Sequence, residues 1–188
     1  MINTRQKLID TARDLFYRHG FQGTGVDVIA ESANTTRQTL YNHFESKDDL
    51  VVEVLKYRDA KWREELRAQT RLRGGDDPIA QLRSIFDVLR EWFANEGFAG
   101  CLFINAATEF PSINSPIHQA AKANFDAVRD FIAEIATECG FADPRRFANK
   151  FNIIIEGAII AELVDRNRDA AELAAELADV LIARSSES

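Results

Sequence analysis

The chain has 188 residues, 46% of them hydrophobic, and a formal net charge of −7. This apolar share argues against disorder, and the length suits one globular unit or two small ones. Two cysteines make neither a disulfide framework nor a zinc spacing. Because no signal peptide and no run of about 18 apolar residues is visible, we expect a cytoplasmic protein that lies in no membrane.

The N-terminal segment predicts a helix from about Asn3 to His19, with Gly20 just past its end as a C-cap. Two shorter helices separated by a tight turn are predicted to follow. Thr24 is expected to cap the first of them, with Asp27 three positions later.

The turn between the short helices falls at Asn34, a residue type that tolerates left-handed backbone. Thr36 is expected to cap the second helix. Two short helices joined in this way form the outline of a helix-turn-helix, placed at about residues 25–44. The second helix of that motif enters the DNA major groove.

The second short helix has a buried and an exposed side, since Leu40 and Phe44 point inward at i and i+4. Its other side chains suit phosphates and base edges: arginine pairs with guanine, and glutamine and asparagine pair with adenine. A solvated helix face would also be polar, but it would not require an exposed tyrosine beside an arginine and a histidine. The exposed residues are Arg37, Gln38, Thr39, Tyr41, Asn42 and His43.

A long helix is predicted from about Lys47, after a capping Ser46, and it ends at Gly74-Gly75. Three later helices begin at a capping residue followed by proline, a position where proline loses no needed hydrogen bond. The chain is therefore predicted to be all-α, with about nine helices. The C-terminal helices lie near residues 78–95, 101–109, 116–138, 144–165 and 169–183.

Three segments of the N-terminal third agree in order, spacing and residue type with a known pattern. They are R-x-x-L-I-x-x-A-x-x-L-F-x-x-x-G-F from Arg5 to Phe21, V-D-V-I-A-x-x-A, and TLYNHFESKDDL. Together they resemble the DNA-binding domain of TetR-family transcriptional regulators. The chain departs from that pattern at Asn34-Thr35, where Gly-Val is typical, and at Gln38, where a small residue is frequent.

The resemblance implies a DNA-binding domain at residues 2–62, with three helices and the helix-turn-helix. The long helix would join it to a ligand-binding and dimerisation domain at 63–188. It also implies a homodimeric repressor that a small molecule releases from its double-stranded operator DNA. The implied DNA contacts are Thr36, Arg37, Gln38, Thr39, Tyr41, Asn42 and His43, with Lys47 on a phosphate.

The acidic charge limits how that DNA could be bound. Residues 1–50 hold six basic and seven acidic side chains, so the affinity for DNA must come from a local cluster and from dimerisation.

The alternative to a DNA-binding repressor is a helical ligand-binding module, or a thiol-based redox or electrophile sensor. In that case the N-terminal domain does not read DNA.

The helix near 144–165 carries two apolar stripes, so one of them needs a partner or a second packing face. The resemblance implies a four-helix bundle formed by the last two helices of two copies. The alternative places both helices in the core of one chain. The predicted interface consists of Phe151, Ile155, Ile159, Leu163, Leu173, Leu177 and Leu181.

Aromatic residues with interleaved polar ones in the C-terminal domain predict a cavity for a small apolar or aromatic ligand. For each single aromatic residue, core packing is the better explanation. Cys101 is either a small buried residue or a sensing thiol at a helix N-terminus. The predicted ligand contacts are Trp62, Phe86, Phe93, Cys101, Phe103, Asn105, Phe110 and Phe125.

Enzymatic function is not indicated. The chain has no glycine-rich phosphate loop, no H-E-x-x-H and no G-x-S-x-G. His19, His43 and His118 are far apart and lack ligand spacing. We therefore expect no catalytic residue, metal or cofactor.

Overall fold

The computed structural model describes residues 3–166 and 169–186, and within them it contains nine helices and no strand. The predicted all-α fold is thereby confirmed. No helix in this part of the chain is long and apolar enough to cross a membrane. The helices are α1 (Thr4–His19), α2 (Val26–Ser32), α3 (Arg37–His43), α4 (Lys47–Gly74), α5 (Pro78–Phe93), α6 (Leu102–Glu109), α7 (Pro116–Glu138), α8 (Pro144–Asp165) and α9 (Ala170–Ser186).

Helices α5, α7 and α8 each begin at a proline, as predicted. Asp77 Oδ1 accepts the backbone N–H of Ile79 at 2.9 Å, and Asp143 Oδ1 accepts that of Arg146 at 2.9 Å. Proline fits the first helical position because it has no N–H that would need a partner. At the start of α7, Ser115 Oγ accepts the backbone N–H of Ile117 at 3.3 Å. The three caps therefore fix three helix starts from local sequence alone.

Thr24 does not cap α2, so this part of the prediction is wrong. The N-cap position belongs to Gly25, whereas Thr24 is 2% exposed and donates its hydroxyl to the Gly20 carbonyl oxygen at 2.7 Å. A threonine between two helices can serve the end of the first or the start of the second. Here burial in the turn selects the end of α1.

The chain forms two compact units. The first extends to Ala60 and also contains Cys101–Asn124; the second contains Lys61–Gly100 and the residues from Phe125 onward. The sequence did not indicate that residues 101–124 belong to the first unit. The functional division into 2–62 and 63–188 stays a prediction.

In the first unit, α1, α2 and α3 pack against one another. Their core is closed by fully buried side chains, among them Leu8, Phe16, Phe21 and Leu40. The rings of Phe16 and Phe21 lie 5.0 Å apart. This packing holds the two short helices on the longer α1, which is what a seven-residue helix needs in order to persist.

In the second unit, α9 packs against both α5 and α8. The ring of Phe151 on α8 lies 5.3 Å from Phe86 on α5 and 5.4 Å from Phe147. Phe151 is fully buried by these contacts. The core of this unit therefore includes Phe151, a residue of α8 for which the apolar pattern allowed either a dimer interface or the core of one chain.

Three α8 residues of the predicted dimer interface lie in the core of a single chain, which corrects that assignment. Phe151 is 0% exposed, Ile155 7% and Ile159 6%. Leu163 is half-buried against Gly100, where an added Cβ would lie 2.9 Å from Leu163 Cδ2. The α8 residues that we predicted to contact a second copy therefore pack within their own unit.

Both final helices expose a different apolar row. On α8 it contains Ile153, Ile160 and Val164, spaced at i, i+7 and i+11, and on α9 it contains Leu173, Leu177 and Val180. Of the predicted α9 interface residues, Leu173 and Leu177 are exposed, and Leu181 is half-buried. We call these six exposed residues the outer α8–α9 stripe.

Candidate nucleic-acid interface

Helix α3 is fixed by its cap and by its inner side. The Thr36 hydroxyl accepts the backbone N–H of Thr39 at 3.1 Å, so this predicted cap is confirmed. Asn34 has a φ of 49°, the left-handed backbone predicted for the turn. Leu40 is 0% exposed and Phe44 2% exposed, which orients the rest of α3 outward.

All the predicted DNA-binding residues lie on α3, at its cap, or at the first residue of α4. Thr39 and Lys47 are half-buried, and the others are exposed. The structure thus brings together a polar surface one short helix long. We call it the outer side of α3, and it consists of Thr36, Arg37, Gln38, Thr39, Tyr41, Asn42 and His43.

The Arg37 side chain has two neighbours on this surface. Its Nη1 lies 3.2 Å from Asp27 Oδ2 on α2, and its guanidinium carbon lies 5.5 Å from the centre of the Tyr41 ring. The ion pair is exposed and so contributes little stability. Its effect is to hold the guanidinium in place, while the group's remaining N–H donors suit guanine or a phosphate.

Two further side-chain pairs lie on α3. Gln38 Nε2 donates to Asn42 Oδ1 at 3.0 Å. The hydroxyls of Thr36 and Thr39 are 2.9 Å apart. Both pairs join neighbours along the helix, so they order the outer side of α3 without burying it.

Arg5 joins α1 to the end of α3 and to α4, a role that its spacing did not predict. Its Nη2 donates to Glu53 Oε2 at 2.5 Å, and its guanidinium lies 5.2 Å from the Phe44 ring centre. The hydrogen bond from Arg5 lowers the pKa of the Glu53 carboxyl. The partner of a surface arginine cannot be read from one sequence, although Arg5 opens the segment that carries the family resemblance.

Glu109, at the end of α6, binds the turn between α1 and α2. Its Oε1 accepts the backbone N–H of Phe21 at 3.0 Å, and its Oε2 accepts that of Gln22 at 2.7 Å. The Phe110 ring packs edge-on against Phe21, with centroids 6.0 Å apart. Two charge-assisted hydrogen bonds and an aromatic contact therefore fasten α6 to the base of the helix-turn-helix.

The predicted ligand contacts divide between the two units. Cys101, Phe103, Asn105 and Phe110 belong to the first. Phe86 packs against Phe151, and the rings of Trp62 and Phe93 lie 5.7 and 5.8 Å from Trp92. Phe86 and Phe93 are buried, whereas Trp62 and Trp92 are half-buried. The assignment of a ligand to these residues stays a prediction. The members in the second unit are Trp62, Phe86, Phe93 and Phe125.

The two cysteines differ in their surroundings. Cys101 is the N-cap residue of α6, one position before the helix that was predicted near 101–109, and it is half-buried. Burial raises the pKa of the Cys139 thiol to about 11, which keeps that thiol protonated and poorly nucleophilic near neutral pH. Whether Cys101 is a sensing thiol stays an open hypothesis of the sequence.

Comparison with known families decides what this geometry belongs to. Residues 8–54 match the family of bacterial regulatory proteins named tetR. Residues 78–182, more than half of the chain, match the C-terminal domain of LmrA/YxaF-like transcriptional regulators. The chain belongs to the TetR family.

Relatives of this TetR-family protein match it along almost its whole length. The HTH-type transcriptional regulator YjdC of Escherichia coli is 26% identical over 181 residues, which cover 95% of this chain and 93% of YjdC. YxaF of Bacillus subtilis is 26% identical over 184 residues, which cover 96% of this chain and 95% of YxaF.

A solved TetR-family regulator from Streptomyces coelicolor is 28% identical and superimposes with a TM-score of 0.86, covering 97% of this chain and 96% of its own. The TetR-family protein described here is accordingly a DNA-binding transcriptional regulator, as the sequence predicted. The alternative, in which the N-terminal domain does not read DNA, is not favoured.

Proposed function

We propose that this TetR-family regulator is a homodimeric repressor that inserts α3 into the major groove and is released from its operator by a small ligand. The observation that carries the proposal is the outer side of α3. Leu40 and Phe44 are buried beneath it, while arginine, glutamine, asparagine and tyrosine side chains point away from the protein. Such side chains supply both base-edge and phosphate contacts.

The charge of the N-terminal segment supports a binding mode with few phosphate contacts. With six basic and seven acidic residues in positions 1–50, general electrostatic attraction to DNA is weak. Each phosphate contact steepens the dependence of affinity on salt concentration. We therefore expect a shallow salt dependence for each protomer.

The outer α8–α9 stripe supports dimerisation. It exposes six large aliphatic side chains, with Ile153 at 67%, Val164 at 70% and Leu177 at 61%. Gly157 lies in the same row of α8, and a Cβ added there would meet open space. A contiguous apolar patch on a monomer marks an interaction site. A second copy would cover the stripe and supply the second α3 that successive major grooves, about 34–36 Å apart, require.

The proposed ligand is a small apolar or aromatic compound. The chain contains 13 phenylalanines, and in the second unit Trp92 lies within 5.1–5.8 Å of Trp62, Phe93 and Phe98, counted between ring centroids. Aromatic surroundings favour apolar ligands. A panel of hydrophobic compounds, scored by thermal stability and operator affinity, tests this part; unchanged values across the panel would count against it.

The DNA-binding function is tested by selecting bound genomic fragments with the purified protein and then titrating variants on the recovered operator. Arg37→Ala should relax the sequence preference and cost about 1–3 kcal/mol, because a base contact is lost. Lys47→Ala should weaken all duplexes alike, because a phosphate contact is lost.

Arg71→Ala is the matched control for both variants, since the Arg71 side chain lies on α4 and is 80% exposed. Its Nη2 lies 3.9 Å from Asp76 Oδ1, so this arginine, like Arg37, is next to an aspartate. It should leave both affinity and preference unchanged. Identical profiles for Arg37→Ala and Lys47→Ala would contradict the division between base and phosphate roles.

A further inference from the structure

Gln38 and Asn42 form the part of α3 that lies farthest from the core beneath it. What we infer from this pair rests on the proposed DNA-binding function. At about 100° per residue, Gln38 and Asn42 each lie about 160° around the helix from Leu40, on either side of the line opposite it. Leu40 is buried, whereas Gln38 and Asn42 are exposed. When α3 enters a groove, the paired amides therefore face its floor.

The hydrogen bond between the two amides fixes what they offer to DNA. Gln38 Nε2 donates to Asn42 Oδ1 at 3.0 Å. A primary amide has two hydrogens on nitrogen and two lone pairs on oxygen. Gln38 thus keeps one hydrogen and its carbonyl oxygen Oε1 for another partner, and the bond to Asn42 restricts the rotation of the amide plane.

One donor beside one acceptor matches a single base in the major groove. Adenine presents N7 as acceptor and N6–H as donor, whereas guanine presents two acceptors and cytosine a donor. Gln38 is the second residue of α3, and the N-terminal residues of a recognition helix contact base edges. We propose that Gln38 reads one adenine in each operator half-site, and that Asn42 is the positioning residue that holds its amide.

The preference for adenine does not depend on which way the amides are turned. If both are rotated end for end, Asn42 donates to Gln38 Oε1. That oxygen retains a second lone pair, and Gln38 then keeps both hydrogens of Nε2. A donor and an acceptor remain side by side in either arrangement, so the base that is read is the same.

The experiment uses duplexes recovered from a randomised pool by the full-length protein, with affinity measured by fluorescence anisotropy at one fixed salt concentration. Each adenine of the half-site is replaced in turn by 7-deazaadenine, which keeps base pairing but lacks the N7 acceptor. At one position, the wild-type affinity should fall by about 5- to 150-fold. Gln38→Ala should bind the natural duplex as weakly and should no longer respond to the replacement.

Asn42 is tested through the ratio of affinities for the natural and the 7-deazaadenine duplex. Asn42→Ala should lower this ratio, because the amide of Gln38 is no longer held. Asn42→Asp retains an oxygen acceptor for Gln38, so it should keep the ratio while its added negative charge weakens every duplex alike. An unchanged ratio in Asn42→Ala would overturn the positioning role.

Gln6→Ala is the matched control, since Gln6 Nε2 donates to Asp10 Oδ2 at 3.2 Å in the same i,i+4 arrangement on α1. Its ratio should equal that of the wild type. Sequence-specific binding that is insensitive to 7-deazaadenine at every position would refute the reading of adenine by Gln38. Recovery of no preferred sequence at all would instead refute the proposed DNA-binding function.

Discussion

Replacing Leu177 on α9 by alanine should weaken the proposed dimer without unfolding the chain. Complete burial of a leucine side chain contributes about 1.5–3 kcal/mol. Leu177 is 61% exposed in a single chain, so the share left for an interface is about 1–2 kcal/mol. Both copies lose this interface contribution, so the dimer is destabilised by at most about 2–4 kcal/mol. This corresponds to roughly a 30- to 900-fold increase in the dissociation constant.

Sedimentation velocity over a dilution series measures that constant directly. Because alanine retains the β-carbon, we expect the lower end of the range. Leu72→Ala is the matched control: Leu72 is 77% exposed on α4 and lies outside the outer α8–α9 stripe. The thermal unfolding of the two variants should be similar, since neither leucine is buried within the chain.

Equal dissociation constants for Leu177→Ala and Leu72→Ala would refute the assignment of the stripe to the interface. Phe151→Ala provides a contrast, because Phe151 is fully buried within one chain. Its replacement should lower the free energy of unfolding by about 3–5 kcal/mol, as expected for a core phenylalanine.

Three further predictions concern the stability of the first unit. Glu109→Ala should cost about 2–4 kcal/mol in denaturant unfolding, because two backbone N–H groups lose a charged acceptor, whereas alanine at the exposed Glu64 should cost little. Thr36→Ala should cost about 1 kcal/mol, and Thr36→Ser should restore most of it; equal losses would argue against the cap. Since Arg5 lowers the pKa of Glu53, their contact stabilises the fold above the unfolded pKa, and this contribution disappears as the pH falls through the folded pKa. The stability difference between Arg5→Ala and the wild type should therefore narrow in acid unfolding curves, and a difference independent of pH would assign the whole effect to packing.

Local chemistry made much of the fold predictable. The capping aspartates and prolines specify the starts of α5 and α8 through hydrogen bonds that span two or three residues. The spacing of Leu40 and Phe44 likewise determines which side of α3 remains outside. In each case, all the atoms that decide the outcome lie within one helical turn of sequence.

The sequence predictions were wrong where two local arrangements were equally favourable. Thr24 could bond forward to α2 or back to α1, and only its burial settled the choice. Helix α8 offered two apolar stripes of similar quality. Phe151 packs on Phe86 of α5, and Ile155 and Ile159 are buried as well, so the exposed row of α8 is a different one. No periodicity within α8 contains that information.

Glu109 shows a second reason why a contact cannot be predicted from the sequence. Its partners, Phe21 and Gln22, precede it by 88 and 87 residues, and the sequence shows only a single carboxylate on a largely apolar helix. A hydrogen bond to the main chain leaves no complementary charge at the partner positions. Neither residue type nor spacing could therefore have revealed the contact before the chain was folded.

The backbone donors that Glu109 binds also determine which substitutions the α1–α2 turn tolerates. Because Glu109 binds peptide N–H groups, exchanging the exposed side chain of Gln22 leaves the bond intact. Gly20 is different: its φ is 77°, and a methyl group there would lie 3.1 Å from Glu109 Oε1. A library that varies the whole turn would thus keep glycine at position 20 for steric reasons, whatever it selects at position 22.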